Sequence, residues 1–175
     1  ILSEEPYLGI STRGGFTHND YGLYGDYQPV LGHYAGRGIG EGRVVWAVNC
    51  SPSDISQLDL VGKIAFCKAG DLEEQTREAA KNGAVGLLLL ADEITNPPSL
   101  RVESTEAWVT DPIPVFQIYD KAAGDLLLGS GYSIRELSIL YEPLELDTRV
   151  QMEIETIPSC GEGDCSGRNI VGVFP

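Results

Sequence analysis

Histidine is nearly absent: the 175 residues contain two, His18 and His33. A metallopeptidase site draws histidines and carboxylates from several strands and loops, with a carboxylate base for the attacking water. Both histidines lie in the first 42 residues, and no H-E-x-x-H spacing exists. His18-Asn19-Asp20 has the H-x-D form of a two-ligand pair, but no further histidine lies near enough in sequence to complete it. His33 has no carboxylate nearby, and both residues read as surface or hydrogen-bonded histidines. The expected catalytic, cofactor and metal residues of this chain are therefore none.

Basic residues are also scarce. Twelve Lys and Arg stand against 26 Asp and Glu, a formal charge of −14. That balance excludes a nucleic-acid binder, which must neutralise phosphates, and disfavours anionic membrane surfaces. It fits a solvated, acidic exterior. No long apolar run is present either. Ala84–Ala91 (AVGLLLLA) is too short to span a bilayer. Ile1-Leu2-Ser3-Glu4-Glu5 has neither the basic start nor the apolar core of a signal peptide.

The four cysteines show no C-x-x-C pairs, which argues against a metal cluster. Cys160 and Cys165 flank the glycine-rich loop CGEGDC and are a candidate disulfide in an oxidising compartment. Free thiols remain the alternative. Cys50 and Cys67 fall on separate expected strands and read as small core residues, with pairing across adjacent strands as the other option.

Other short patterns lack the context that chemistry needs. Gly163-Asp164-Cys165-Ser166-Gly167 matches a nucleophile elbow in letters, but a glycine loop precedes it and strand-like residues follow. The glycine run from Gly36 to Gly42 precedes a strand instead of following one, so it reads as a flexible turn and not a phosphate cradle. Asn49-Cys50-Ser51 is a formal glycosylation acceptor. Glu73-Glu74 and Glu103 with Glu106 have no calcium-loop alternation and read as solvated faces.

What is present is concentrated between Asp59 and Asp92. Lys63–Lys68 (KIAFCK) alternates and is bounded by glycines, which predicts a strand. Asp71 predicts a helix N-cap, with Glu74 placed as a capping-box partner. The helix LEEQTREAAKN puts Leu72, Thr76, Ala79 and Ala80 near one face, and Asn82-Gly83 is a left-handed stop. Ala84–Ala91 then suits a strand buried on both faces.

This block resembles the protease-associated (PA) domain. The motifs are Leu60-Val61-Gly62-Lys63-Ile64, Ala80-Lys81-Asn82-Gly83-Ala84-Val85-Gly86, the Leu87–Leu90 run, Ile113-Pro114-Val115, and Gly124-Asp125-Leu126-Leu127. The resemblance covers about half the chain, from Arg43 to Gly131. It implies a non-catalytic appendage of a protease, sorting receptor or ubiquitin ligase. In addition, Ser166–Pro175 (SGRNIVGVFP) is similar to the first strand of the catalytic domain in the zinc aminopeptidase family of aminopeptidase Y and the transferrin-receptor-like proteins. The glycine turn that follows that strand in the family is not present here. The joint implication is an accessory domain whose zinc belongs to its own, missing peptidase domain. Peptide or protein substrate would be the other partner, in a secreted or extracytoplasmic setting. The runner-up is a stand-alone peptide-binding module, as in sorting receptors.

The expected fold class is α+β: a mixed sheet or open β-barrel with two or three peripheral helices. Residues 1–42 form a Gly/Tyr-rich layer packed on the core, 43–165 the PA core with a C-terminal strand pair, and 166–175 the peptidase strand. That strand pair is read from Ser133–Leu146 and Arg149–Thr156. Asp120 is the expected cap of a helix ending near Gly129. The core is expected between Val44 and Leu128, including Ile64, Phe66, Val85, Leu87, Leu89, Val115 and Ile118. The polar stretch Glu93–Asp111 has loop composition and carries Trp108, either a contact residue for substrate or a pin that folds onto the core.

Overall fold

The computed structural model describes residues 6–12, 15, 17–30, 36, 38–91 and 113–154. Among the described residues eight strands form one mixed sheet: β1 Tyr7–Ser11, β2 Thr17–His18, β3 Tyr27–Pro29, β4 Gly38–Trp46, β5 Ile64–Lys68, β6 Gly86–Leu90, β7 Val115–Ile118 and β8 Leu144–Ile154. Their order is β2-β1-β8-β4-β5-β6-β7-β3. Strands β4 to β7 run parallel, and the other described strand-to-strand pairings are antiparallel. The sheet is open, not closed into a barrel, and the class is α+β as expected. Strands from the Gly/Tyr-rich segment occupy both edges.

Burial explains why the centre is parallel and apolar. β6 (GLLLL) is buried throughout, because helices cover both faces of the sheet. Helices α1 (Pro52–Ile55) and α2 (Leu72–Lys81) lie on one side. There Ile55, Leu60 and Ala79 pack with Val45, Ala65, Cys67, Leu87, Leu89 and Val115. On the other side lie α3 (Asp120–Leu126) and α4 (Ile134–Ile139), where Ala122, Leu126 and Leu137 meet Trp46, Phe66, Leu88, Phe116 and Ile118. Strand β8 instead alternates buried and exposed residues, since only one of its faces meets the core.

The N-cap and the glycine stop of α2 are as expected, whereas no return bond from the Glu74 side chain completes a capping box among the described bonds. Asp71 accepts from the Glu74 N–H at 3.0 Å, and Gly83 takes the left-handed φ of 85° after Asn82. The expected core residues Ile64, Phe66, Leu87, Leu89, Val115 and Ile118 are fully buried, whereas Val85 is only partly so. The core also reaches beyond the expected block, to Leu8, Ile10, Val150 and Met152, because β1 and β8 extend the sheet.

Three expectations need correction. Ser133–Leu146 is not one strand: Ser133 and Glu136 form a capping box that starts α4, and Ile134 and Leu137 sit at helical spacing. β8 begins only at Leu144, and its long antiparallel partners are β1 and β4, not a neighbouring hairpin arm. It continues through Asp147-Thr148, where its register against β4 shifts and the buried Thr148 hydroxyl donates to the Leu126 carbonyl at 2.8 Å. Asp120 is the first residue of α3, and Tyr119 is its N-cap without a side-chain bond.

The third correction concerns the glycine run. Gly38–Gly42 is strand, not turn. A Cβ on Gly42 would stand 2.5 Å from the Gly62 carbonyl oxygen, and one on Gly40 would collide with the carbonyl oxygen of Val85. These glycines let β4 cross close over the loops that enter β5 and β6. Both obstacles are backbone and cannot rotate away. Gly40→Ala is therefore expected to lose about 1–3 kcal/mol of stability in urea unfolding. A variant as stable as the parent would mean that this crossing relaxes freely.

Candidate functional site at the carboxyl edge of the parallel strands

Open parallel sheets bind ligands outside the carboxyl ends of their strands. At that edge the chain is held by an unusual number of constraints. After β4 the ladder continues, with the Ala47 N–H on the Phe66 carbonyl and the Lys68 N–H on the Val48 carbonyl, both at 2.9 Å. This brings Cys50 against Cys67, and the two are disulfide-bonded with Cα atoms 5.7 Å apart. Both side chains are buried, as core residues would be, but they are not free thiols.

Gln75 of α2 fastens the same edge. Its side-chain amide donates to the carbonyls of Asn49 (2.8 Å) and Lys68 (2.7 Å), and its oxygen accepts from the Gly70 N–H (3.1 Å). Ser51 and Asp54 form a second capping box at the start of α1, and the Asp54 carboxylate also accepts from the Asn49 N–H. Within this frame Val48 and Cys50 have φ of 56° and 53°. A β-branched residue in the left-handed region is strained, and persists only where its surroundings over-determine it. Here the bridge, Gln75 and Asp54 do so.

Above the edge, on the α3/α4 side, lies a cavity of about 340 Å³ whose described lining is Lys68, Ala69, Leu90 and Ser138. The Lys68 ammonium stands 5.3 Å from the centre of the Tyr141 ring, a cation–π contact. Sequence reading passed over Lys68, Gln75 and Tyr141. The signal available was the pair Cys50 and Cys67 at the ends of two neighbouring parallel strands.

His18 and Asp20, the described members of the candidate ligand set, face different neighbours. His18 lies on the short edge strand β2, opposite Ile10. Its H-x-D partner Asp20 is turned to α3, with its carboxylate 3.4 Å from Lys121. A backbone hydrogen bond first, and Lys121 second, hold the Asp20 carboxyl below its usual range. Lys121 also lies over the Tyr21 ring, and the Tyr21 hydroxyl donates to Asp125 at 3.0 Å. Burial first, then that bond, push the Tyr21 phenol well above its normal value. His33, Trp108, Glu103, Glu106, Cys160, Cys165 and the Gly163–Gly167 pattern lie outside the described residues. Among the described residues no group of three or more His, Cys, Asp or Glu is arranged to hold a metal ion.

No protein-family model matches the sequence, and no curated protein matches it. Solved structures do. An aminopeptidase from Aneurinibacillus sp. strain AM-1 aligns over 89% of this chain with a TM-score of 0.55 and 18% identity. A zinc aminopeptidase from Bacillus subtilis aligns over 86% with a TM-score of 0.50 and 16% identity. The chain spans only 31% and 30% of those proteins. Its fold is thus related to a part of zinc aminopeptidases. Among the described residues no helix is long and apolar enough to cross a membrane.

Proposed function

We propose that this chain is a non-catalytic, protease-associated domain of a zinc aminopeptidase, covering the active-site cleft and influencing which substrates enter. The observation that carries the reading is the alignment of nearly the whole chain with less than a third of an aminopeptidase. The PA-like motifs, from Leu60-Val61-Gly62-Lys63-Ile64 to Gly124-Asp125-Leu126-Leu127, support the same assignment. Zinc and the hydrolytic residues belong, in this reading, to the peptidase domain, which is the first partner; peptide or protein substrate is the second. Trp108 is the candidate contact residue. The Cys50–Cys67 bond supports an extracytoplasmic location, because reducing compartments keep most thiols unpaired.

The isolated chain is expected to hydrolyse no aminoacyl-nitroanilide or peptide, with or without added zinc or cobalt. In the full-length enzyme, deleting this domain should change KM for long peptides more than for a single aminoacyl-nitroanilide. Metal-dependent turnover by the isolated chain that survives repurification and is lost in His18→Ala or His33→Ala would refute the non-catalytic assignment. Equal kinetics on both substrates after deletion would refute the role at the cleft.

A further inference from the structure

We infer that the cavity beside Lys68 binds the carboxylate of a peptide C-terminus, with the adjoining apolar side chain held on Leu90 and Tyr141. Charge is the first argument. In a chain of net charge −14, the described Lys and Arg side chains are paired with carboxylates except Lys68 and Arg135. Only Lys68 of the two lines the cavity. It does so together with Ser138 of α4. A cavity-lining cation with no carboxylate partner among the described residues leaves room for an anion from outside.

The apolar half is equally specific. Tyr141 is 79% exposed, and Leu90 lines the cavity. Tyr141 touches the ammonium of Lys68, so the cation and the apolar surface are contiguous. The Ser138 hydroxyl donates to the Arg135 carbonyl at 2.8 Å, which leaves the carboxylate to the lysine.

Rigidity is the third argument. The Lys68 backbone is fixed on both sides, its N–H on the Val48 carbonyl and its carbonyl on the Gln75 amide, and its neighbour Cys67 is cross-linked. The backbone that carries the lysine therefore loses little freedom on binding. A free phosphate would use the cation but leave the apolar wall idle, and a neutral apolar ligand would leave the cation idle. The chemistry that uses both is a carboxylate with an apolar side chain beside it.

The choice of a peptide as its source rests on the accessory-domain reading. N-acetyl-alanyl-leucine as the free acid, and the same dipeptide as its C-terminal amide, can be titrated into the isotope-labelled chain while the amide signals of Lys68, Ala69, Leu90 and Ser138 are followed. The free acid is expected to saturate those shifts, the amide to bind about tenfold more weakly or worse, and added salt to weaken the acid alone. Lys68→Gln should reduce the acid to the level of the amide with unchanged melting temperature, and Tyr141→Ala should weaken both ligands. Equal binding of acid and amide, a Lys68→Gln variant that binds like the parent, or no saturable shift would overturn the inference. Should the acid bind while the gene encodes no peptidase, the site stands and the accessory-domain reading fails.

Discussion

Leu89→Ala is expected to lower stability by about 2–5 kcal/mol, the range for emptying a fully buried leucine site. For a domain of this size that corresponds to a melting-temperature drop of roughly 5–20 °C. Leu89 has no exposed surface and lies in register between Cys67 on β5 and Gln117 on β7. It packs in the cluster that joins the sheet to α1 and α2, with Ala79 and Ile55. Strands on both sides and helices above leave little room for the site to collapse, which places the loss toward the upper end. Circular-dichroism melts of parent and variant give the number directly. An unchanged melting curve would put β6 at the surface and overturn the topology.

Removing the Cys50–Cys67 bridge should come next in size. The bond spans 17 residues, and closing a loop of that length restricts the unfolded chain by an amount equivalent to about 3 kcal/mol. Alanine at both positions removes the bridge without leaving an unpaired thiol. Urea unfolding of the double variant should show a midpoint lower by the corresponding amount. The amide signals of Val48 and Lys68 should broaden as well, because the strained turn at Val48–Cys50 loses one of its restraints. A double variant as stable as the parent would show that Gln75 and Asp54 hold the edge by themselves.

Helix α2 was legible residue by residue, since its determinants are neighbours in sequence: Asp71 and Glu74 at one end, Asn82 and Gly83 at the other. Helix α4 carries a signal of the same kind, Ser133 with Glu136, but the alternation around it mimics a strand and masks it. A six-residue helix gives too few turns for its period to outweigh that. The glycines at 40 and 42 were misread for a different reason. Their role is set by Val85 and Gly62, loop residues 20 or more positions away, so no local pattern distinguishes them from turn glycines.

The same division separates the candidate site from its sequence. Lys68 looks like an ordinary strand-end lysine until Tyr141 is placed over it, and Tyr141 lies more than seventy residues downstream. Cys50 and Cys67 look like core residues until the register of β4 on β5 sets them face to face. By itself the sequence determined the class of fold, the buried β6 strand, the α2 caps and an acidic exterior, because composition, periodicity and capping act over a few residues. Only the tertiary structure decided the order of the strands, the two covered faces, the bridge and the cation beside the cavity. Those depend on pairings between distant segments, where burial of the whole sheet selects one register among many that local preference would allow.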